Sequence, residues 1–238
     1  MLLISQRMEK DGYTTNVITY EYNSEGQRTE KTVDGETTKY YYNGSLLLGE
    51  ERDGTTLYYY YDSTGQLIGL NYNGVNYYAL RNLQGDVVAL TDKNGTKVVS
   101  YVYDSWGRVI SVTGSLKDTL GKDNPFRYRG YYYDEETGFY YLQSRYYDPE
   151  TCRFLNADGL LDNGSGMHGL NLYIYCNNNP VNLVDPSGQS ALDSLLVLAG
   201  ALAGASVGAL SASTSSAQKG AIVSIVFRKI KILPFGSR

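Results

Sequence analysis

The sequence predicts a mainly β protein built from short antiparallel hairpins, and three observations carry that prediction. Tyrosine accounts for 25 of the 238 residues, against 5 phenylalanines and 1 tryptophan. Tyrosine suits a half-buried strand, where the ring packs on neighbours and the hydroxyl reaches water. Glycine is also frequent, at 26 residues, and it supplies the positive φ angles of tight turns. The third observation is that one turn-forming phrase recurs along the first half of the chain.

The recurring phrase is an alternating aromatic run, then Asp or Asn, two variable residues and Gly. Its copies lie at 20–27, 59–68, 80–88 and 101–110, with a degenerate copy at 40–44. Their anchoring glycines, Gly26, Gly65, Gly85 and Gly107, are 39, 20 and 22 residues apart. One missed copy followed by two intervals of about twenty residues indicates a structural repeat.

Each repeat unit has the composition of a hairpin. Asp or Asn accepts backbone hydrogens and opens the turn, Gly closes it, and an apolar run returns as the partner strand. Further turn signals lie between the units, at Asp34-Gly35, Asp53-Gly54, Asn73-Gly74 and Asn94-Gly95. We therefore expect consecutive antiparallel hairpins over 13–112, with the four anchoring glycines at turns. A β-sandwich with Tyr-rich strands is the alternative, but it does not require the same phrase at every turn.

The charge distribution argues against nucleic-acid binding by the body of the protein. The net charge is −4, yet residues 189–238 hold five basic residues and one acidic residue. The first 188 residues therefore carry −8. Phosphate contacts need clustered Lys and Arg, which an acidic body does not offer.

The phrase Tyr-x-Tyr-Asp-x-x-Gly resembles the YD repeat of bacterial Rhs and wall-associated proteins and of eukaryotic teneurins. A more specific set of motifs follows it and resembles the Rhs repeat-associated core in its full order. These motifs lie at 124–134, 137–149, 153–155, 169–173, 177–180 and 185–188. The resemblance divides the chain into YD-repeat hairpins (1–115), the Rhs core (116–188) and a variable Gly/Ala-rich tail (189–238).

The resemblance implies that the hairpins form part of a spiralling hollow shell, which the core closes around a C-terminal segment. That segment is often a toxin, but the fifty tail residues contain no catalytic motif. The implied partners are the protein's own upstream shell repeats and a C-terminal cargo or immunity protein. The implied location is secreted or at the bacterial cell surface, as part of a larger protein. No signal peptide is visible at the start of this chain.

In many Rhs proteins the core cuts the chain after its closing Asp-Pro-x-Gly-Leu, using two aspartates. Asp158 and Asp185 match those positions, and Arg153 could orient a carboxylate by a bidentate contact. The chain departs from the pattern because Asp158 lacks the following Pro and Cys152 replaces a Gly. We favour the interpretation that each aspartate opens a turn, with autoproteolysis as the alternative.

Gln189 is the third departure, because self-cleaving members have Leu there. Seating its amide in an apolar pocket without a hydrogen-bond partner costs about 1–3 kcal/mol. We therefore expect the Gly188–Gln189 bond to stay intact.

No cofactor or metal site is expected. His168 is the only histidine and lies in a loop-like segment, and Cys152 and Cys176 lack the spacing of zinc ligands. Two cysteines make no disulfide framework; buried free thiols or a single bond are the two alternatives.

The tail changes composition abruptly. Residues 195–210 are uncharged, with Gly200, Gly204 and Gly208 on one helical face. A short apolar helix packed inside the shell is the expected structure, and membrane contact is the alternative. A carbohydrate-binding surface module, favoured by exposed tyrosines, is a third interpretation of the whole protein.

Overall fold

A computed structural model of the chain describes residues 2–10, 13–159, 171–189 and 192–193. The expected helical tail over 195–210 and the loop around His168 lie outside these ranges. Within them, the helices are α1 (Leu120–Asp123) and the 3-10 segments Tyr128–Gly130 and Cys176–Asn178. The strands are β1 (Leu2–Lys10), β2 (Tyr13–Tyr22), β3 (Arg28–Val33), β4 (Glu36–Asn43), β5 (Leu46–Arg52), β6 (Thr55–Tyr61), β7 (Leu67–Tyr72), β8 (Val75–Arg81), β9 (Val87–Thr91), β10 (Lys97–Tyr103), β11 (Val109–Thr113), β12 (Tyr132–Asp134), β13 (Phe139–Tyr141), β14 (Tyr146–Asp148), β15 (Arg153–Phe154), β16 (Leu183–Val184) and β17 (Leu192–Asp193).

Strands β1 to β11 form one antiparallel sheet, the repeat sheet, in which every strand pairs with its neighbours in chain order. The predicted run of consecutive hairpins is therefore confirmed. The helices that the described residues contain are short connections. Among those residues, no helix is long and apolar enough to cross a membrane.

Two kinds of turn connect the strands, and both follow from the side chains. In the longer turn, an Asp or Asn Oδ1 atom accepts backbone N–H groups from the residues two and four positions later. Asp62 does so from Thr64 and Gln66 at 2.8 and 3.0 Å, and Asp104 from Trp106 and Arg108 at 2.9 and 3.0 Å. The turns that begin at Asn23, Asn82 and Asp92 share this arrangement.

All four anchoring glycines close turns of this longer kind, with φ between 79° and 91°. Gly95 closes the Asp92 turn in the same way, with a φ of 81°. The sequence had suggested only an Asn-Gly turn there. Three shorter turns carry positive φ at both central residues, for example 50° at Asp34 and 94° at Gly35. This geometry matches the right-handed twist of the flanking strands.

The two faces of the repeat sheet differ in burial because successive side chains point to opposite sides. One face is buried and includes Tyr40, Leu57, Tyr59, Leu70 and Tyr101. The other face is exposed and includes Tyr41, Tyr58, Tyr60 and Tyr78, which are 39% to 53% exposed. The Tyr-rich strands thus supply both surfaces through simple alternation.

Residues 120–159 and 171–189 cover the buried face, and we call them the tyrosine module. Strands β12 to β15 form its four-stranded antiparallel sheet. Its interior is a cluster of packed aromatic rings that includes Tyr128, Tyr140, Tyr147, Phe154 and Tyr175. The Tyr147 and Tyr175 rings are stacked, with centroids 4.0 Å apart. The predicted domain boundaries at 115 and 188 stay predictions.

Hydroxyl groups of the tyrosine module bind the turns of the repeat sheet. Because a turn leaves carbonyl oxygens without strand partners, each can accept a side-chain hydrogen bond. The donors are Tyr140 to the Gly107 carbonyl (2.7 Å), Tyr147 to the Trp106 carbonyl (2.7 Å), Tyr128 to the Ser105 carbonyl (2.9 Å) and Tyr141 to the Gly26 carbonyl (3.3 Å). The module therefore docks on the same turns that define the repeat.

A buried ion pair makes the second connection between the two parts. Arg28 of β3 binds both oxygens of Asp134 of β12, at 2.6 and 3.0 Å. Lys31 of β3 lies 2.8 Å from the same carboxylate. Arg28 and Asp134 are each 1% exposed. Burial alone would raise the pKa of Asp134, but the charges of Arg28 and Lys31 outweigh that effect and hold it below its ordinary value.

Substitution of two turn glycines distinguishes the free energy lost to backbone strain in a turn from the free energy lost to a clash with the tyrosine module. Gly26 and Gly107 both have positive φ, but only at Gly107 would an added Cβ meet the Tyr128 ring, 2.5 Å away. Gly26→Ala therefore has backbone strain alone, whereas Gly107→Ala adds a steric clash with the module. We expect Gly107→Ala to cost about 1–3 kcal/mol more in free energy of unfolding than Gly26→Ala. Urea denaturation measures both, and equal losses would contradict this account of docking.

Candidate functional site around two aspartates

Three chain segments of the tyrosine module bring the site residues together. Arg145 comes directly before β14, in a tight turn where the Leu142 N–H donates to the Arg145 carbonyl at 2.9 Å. Asp158 follows β15, and its N–H donates to the Leu172 carbonyl at 2.9 Å. Asp185 follows β16, and its N–H donates to the Tyr131 hydroxyl at 3.0 Å. Backbone hydrogen bonds near the ends of these short strands therefore hold all three residues.

The two predicted aspartates are joined by one arginine. The Nη1 atom of Arg145 lies 3.0 Å from Asp158 Oδ2, and its Nη2 atom lies 3.3 Å from Asp185 Oδ2. Arg145 is 5% exposed and Asp185 is 2% exposed, while Asp158 is half-buried. The guanidinium carbon also lies 3.7 Å from the centroid of the Phe154 ring. The two carboxylates thus share a desolvated cation.

Arg153, the arginine that the sequence suggested for this role, lies elsewhere. It belongs to β15, its side chain is exposed, and its backbone is paired with Asp148 and Ile174. Among the described residues, no hydrogen bond or ion pair joins Arg153 to either aspartate, and Arg145 makes those contacts. Both arginines belong to the same motif-rich segment. One feature of the sequence distinguishes the two arginines. Arg153 directly precedes Phe154 in a strand, so its side chain lies on the sheet face opposite to the one that buries Phe154.

Side chains of the site hold the backbone from Ser187 to Gln189. The Gly188 carbonyl accepts hydrogen bonds from Ser144 Oγ at 2.8 Å and from the Nε atom of Arg145. Ser144 Oγ also lies 2.7 Å from the Ser187 carbonyl, and its single hydrogen serves one of the two at a time. The Gln189 N–H donates to Asp185 Oδ1 at 3.0 Å. The Gly188–Gln189 peptide therefore has donors on its oxygen and a carboxylate on its nitrogen.

Residues 185–189 share two features with the longer turns of the sheet. In both, an Asp Oδ1 atom accepts a hydrogen bond from the N–H of the residue four positions later. In both, that donating residue directly follows a Gly with positive φ. Gly188 has a φ of 71°, and a Cβ there would lie 2.8 Å from Ser144 Oγ and 3.0 Å from the Leu142 carbonyl. The position therefore requires glycine.

Gln189 does not meet the environment that the sequence analysis assumed. The residue is exposed, so its amide is not seated in an apolar pocket and no desolvation cost of that kind applies. The argument from a buried Gln189 amide was wrong for this reason. The turn geometry and the arginine between the aspartates are the observations that bear on cleavage instead.

The other candidates within the described residues are the two cysteines. Cys152 is half-buried, Cys176 is buried, and both are free thiols. Burial raises the pKa of the Cys176 thiol to about 12, which disfavours the reactive thiolate. Cys152 holds a φ of 60° at the position where the Rhs pattern has Gly. In the part of the chain that the structure describes, no group of His, Cys, Asp and Glu has the arrangement of a metal site.

Paired substitutions test which arginine supports the site. Arg145→Met removes the cation from buried Asp185 and the donor from the Gly188 carbonyl. We expect it to cost about 3–5 kcal/mol in free energy of unfolding, because an uncompensated buried charge remains. Arg153→Met is the matched control and should change stability by less than about 0.5 kcal/mol. Urea denaturation of both variants decides the assignment, and the reverse order of effects would restore Arg153 to the site.

Comparison with known proteins places this architecture in a family. A family model described as the teneurin YD-shell matches residues 48–181. The tRNA nuclease WapA of Bacillus subtilis strain 168 is 44% identical over 187 residues, which are 76% of this chain and 8% of that protein. The double-stranded DNA deaminase toxin A of Burkholderia cenocepacia is 38% identical over 99 residues, which are 42% of this chain and 6% of that protein.

The solved structures show the same fold. A crystal structure of TcdB2-TccC3-Cdc42 superposes with a TM-score of 0.61 at 23% identity, covering 86% of this chain and 10% of that chain. The chain thus spans about a tenth or less of the length of each of these three proteins. The superposition shows that this chain and that part of the TcdB2-TccC3-Cdc42 structure share a fold. The chain belongs to the YD-shell family, in which bacterial Rhs-type toxins and teneurins share a β-shell.

Proposed function

We propose that this chain closes a hollow β-shell around its own C-terminal segment and fixes the point where that segment leaves the shell wall. Support comes from one observation above all: Ser144, Arg145 and Asp185 hold the backbone from Ser187 to Gln189. Gln189 is the first residue of the tail. A wall segment without cargo would have no need of such a fixed exit.

The contacts of the tyrosine module support the closing role. The module covers one face of the repeat sheet and binds its turns through tyrosine hydroxyls, so it seals the sheet instead of extending it. In this proposal the protein's own upstream repeats complete the wall. The tail, or a longer cargo with its immunity protein, is the partner on the inside. The protein acts outside the cell or at the bacterial surface as part of a larger polypeptide.

Protease protection tests the closing role in the full-length protein. We expect residues 190–238 to resist proteinase K in the native protein and to be digested after unfolding in urea. Arg145→Met should speed digestion of the tail while peptides from 13–113 stay protected, because the exit is loosened and the sheet is not. Arg153→Met should behave as wild type. Equal digestion of the tail before and after unfolding, read by mass spectrometry, would contradict the proposal.

Self-cleavage at Gly188–Gln189 is a second candidate, favoured by the two donors on the Gly188 carbonyl. Donors at that oxygen would stabilise the negative charge that develops when water attacks. An aspartyl pair also needs one carboxyl neutral while the other activates the water. Here Arg145 lies between Asp158 and Asp185 and compensates both carboxylates, which removes the reason to share a proton. Asp185 is further engaged with the Gln189 N–H, as a turn residue.

The intact mass of the purified chain distinguishes the two candidates. We expect the Gly188–Gln189 bond to remain intact for hours at neutral pH, because the carboxylates act in ion pairs and a turn. Gln189→Leu, which restores the residue of self-cleaving Rhs proteins, should release a small fraction of the tail at most. Release of a fragment beginning at Gln189 in wild type, lost in Asp158→Asn and Asp185→Asn, would establish the enzyme.

A further inference from the structure

Glu50 is a carboxyl group buried between the repeat sheet and the tyrosine module. It lies on β5 and is 7% exposed. Its Oε2 atom accepts a hydrogen bond of 2.7 Å from the Tyr132 hydroxyl on β12. Its neighbours across the sheet are Tyr40 on β4 and Leu57 on β6. The hydrogen bond from Tyr132 joins the two parts at a point distinct from the Arg28–Asp134 pair.

The cations around Glu50 are committed to other carboxylates. Arg28 and Lys31 of β3 bind Asp134 on β12, and Lys31 also lies 2.6 Å from Glu136. Arg52, two residues along β5, binds Asp123 at 2.8 Å and lies 3.6 Å from Glu36. Among the described residues, no salt bridge within 4.0 Å joins Glu50 to a Lys or Arg. An ionised Glu50 would therefore be a buried anion without its own counter-ion.

The other groups that face Glu50 are tyrosine hydroxyls. Tyr40 and Tyr132 form a hydroxyl pair 3.3 Å apart. The Tyr59 hydroxyl on β6 is buried and interacts with the Glu50 carboxyl. Burial, and then the nearby Glu50 carboxyl, raise the pKa of Tyr59 far above its ordinary value, and burial likewise raises the pKa values of Tyr40 and Tyr132. These phenols remain neutral, so they offer dipoles but no charge to balance Glu50.

We propose that Glu50 is a proton-operated latch between the repeat sheet and the tyrosine module. The protonated carboxyl is neutral, fits the tyrosine-lined interface and keeps its bond to Tyr132. Ionisation places an unpaired negative charge there, and separating the module from the sheet hydrates that charge. The module is therefore held most firmly in acidic surroundings and released more easily as the pH rises.

The direction of the pH dependence follows from the two carboxylates at this interface. Burial raises the pKa of Glu50, and the opposing effects of Tyr132, Lys31, Arg28 and Arg52 do not cancel it. Its contribution to stability is present below the pKa of the unfolded chain and is lost as pH rises through the folded pKa. Asp134 has the opposite sign, because its lowered pKa makes its contribution disappear as pH falls. The module is therefore bound most strongly to the sheet at pH values above the folded-state pKa of Asp134 and below that of Glu50.

Thermal unfolding at several pH values tests the latch in the whole chain. Glu50→Gln keeps the shape and the acceptor but cannot ionise. We expect its Tm to equal that of wild type at about pH 5 and to exceed it by about 2–4 °C at about pH 8. Glu51→Gln, at the exposed neighbouring position, is the matched control and should follow wild type. Tyr132→Phe removes the donor that lowers the pKa of Glu50, so its loss of Tm between the two pH values should be larger than in wild type.

Amide hydrogen exchange locates the effect. In wild type, exchange at β12 and β13 should accelerate with pH beyond the intrinsic chemical rate, and Glu50→Gln should remove that excess. A Glu50→Gln variant whose Tm follows wild type at both pH values would overturn the proposal. An excess exchange at β12 and β13 that persists in Glu50→Gln would also overturn it.

Discussion

The ion pair between Arg28 and Asp134 is the constraint on which the rest of the structure depends. It joins the third strand of an open repeat sheet to the first strand of the module that covers it. Arg28 is enclosed by the rings of Tyr20, Tyr40, Tyr132 and Tyr141, at 4.6 to 5.5 Å from their centroids. A buried ion pair is weak evidence for net stability, but removal of one partner is costly. We infer that the pair specifies which strand of the repeat the module covers.

Tyrosine solves a problem that this architecture creates. A sheet of tight turns exposes many carbonyl oxygens along its rim, and an apolar covering layer would leave them unpaired, at a cost of about 1–3 kcal/mol each. Tyr128, Tyr140, Tyr141 and Tyr147 bury their rings and still donate to turn carbonyls. Phenylalanine would pack similarly but could not donate. This accounts physically for tyrosine instead of phenylalanine at these four positions.

Carboxylates inside the tyrosine module and at its interface with the repeat sheet have unequal partners, and that inequality distinguishes the site from the latch. Arg145 compensates both Asp158 and Asp185, and the chain after Asp185 is held as a turn. Among the described residues, the partners of Glu50 are tyrosine hydroxyls, and no salt bridge joins it to a cation. Carboxylates of the same chemical type therefore serve as a clamp in one place and as a proton-sensitive contact in another. Asp158 and Asp185 lie within salt-bridge distance of Arg145, whereas the cations near Glu50 are already paired with other carboxylates.

The sequence by itself determined the hairpins, their turn glycines and the pairing order, because a turn is local and its Asp, Asn and Gly residues act within five positions. It also placed Asp158 and Asp185 as related positions through the resemblance to Rhs proteins. Only the tertiary structure decided that Arg145 and not Arg153 lies between them, that Gln189 is exposed, and that Glu50 is buried without a cation. Burial and ion pairing depend on segments far apart in the chain, such as Arg28 and Asp134. No local pattern encodes which of several similar charges will meet.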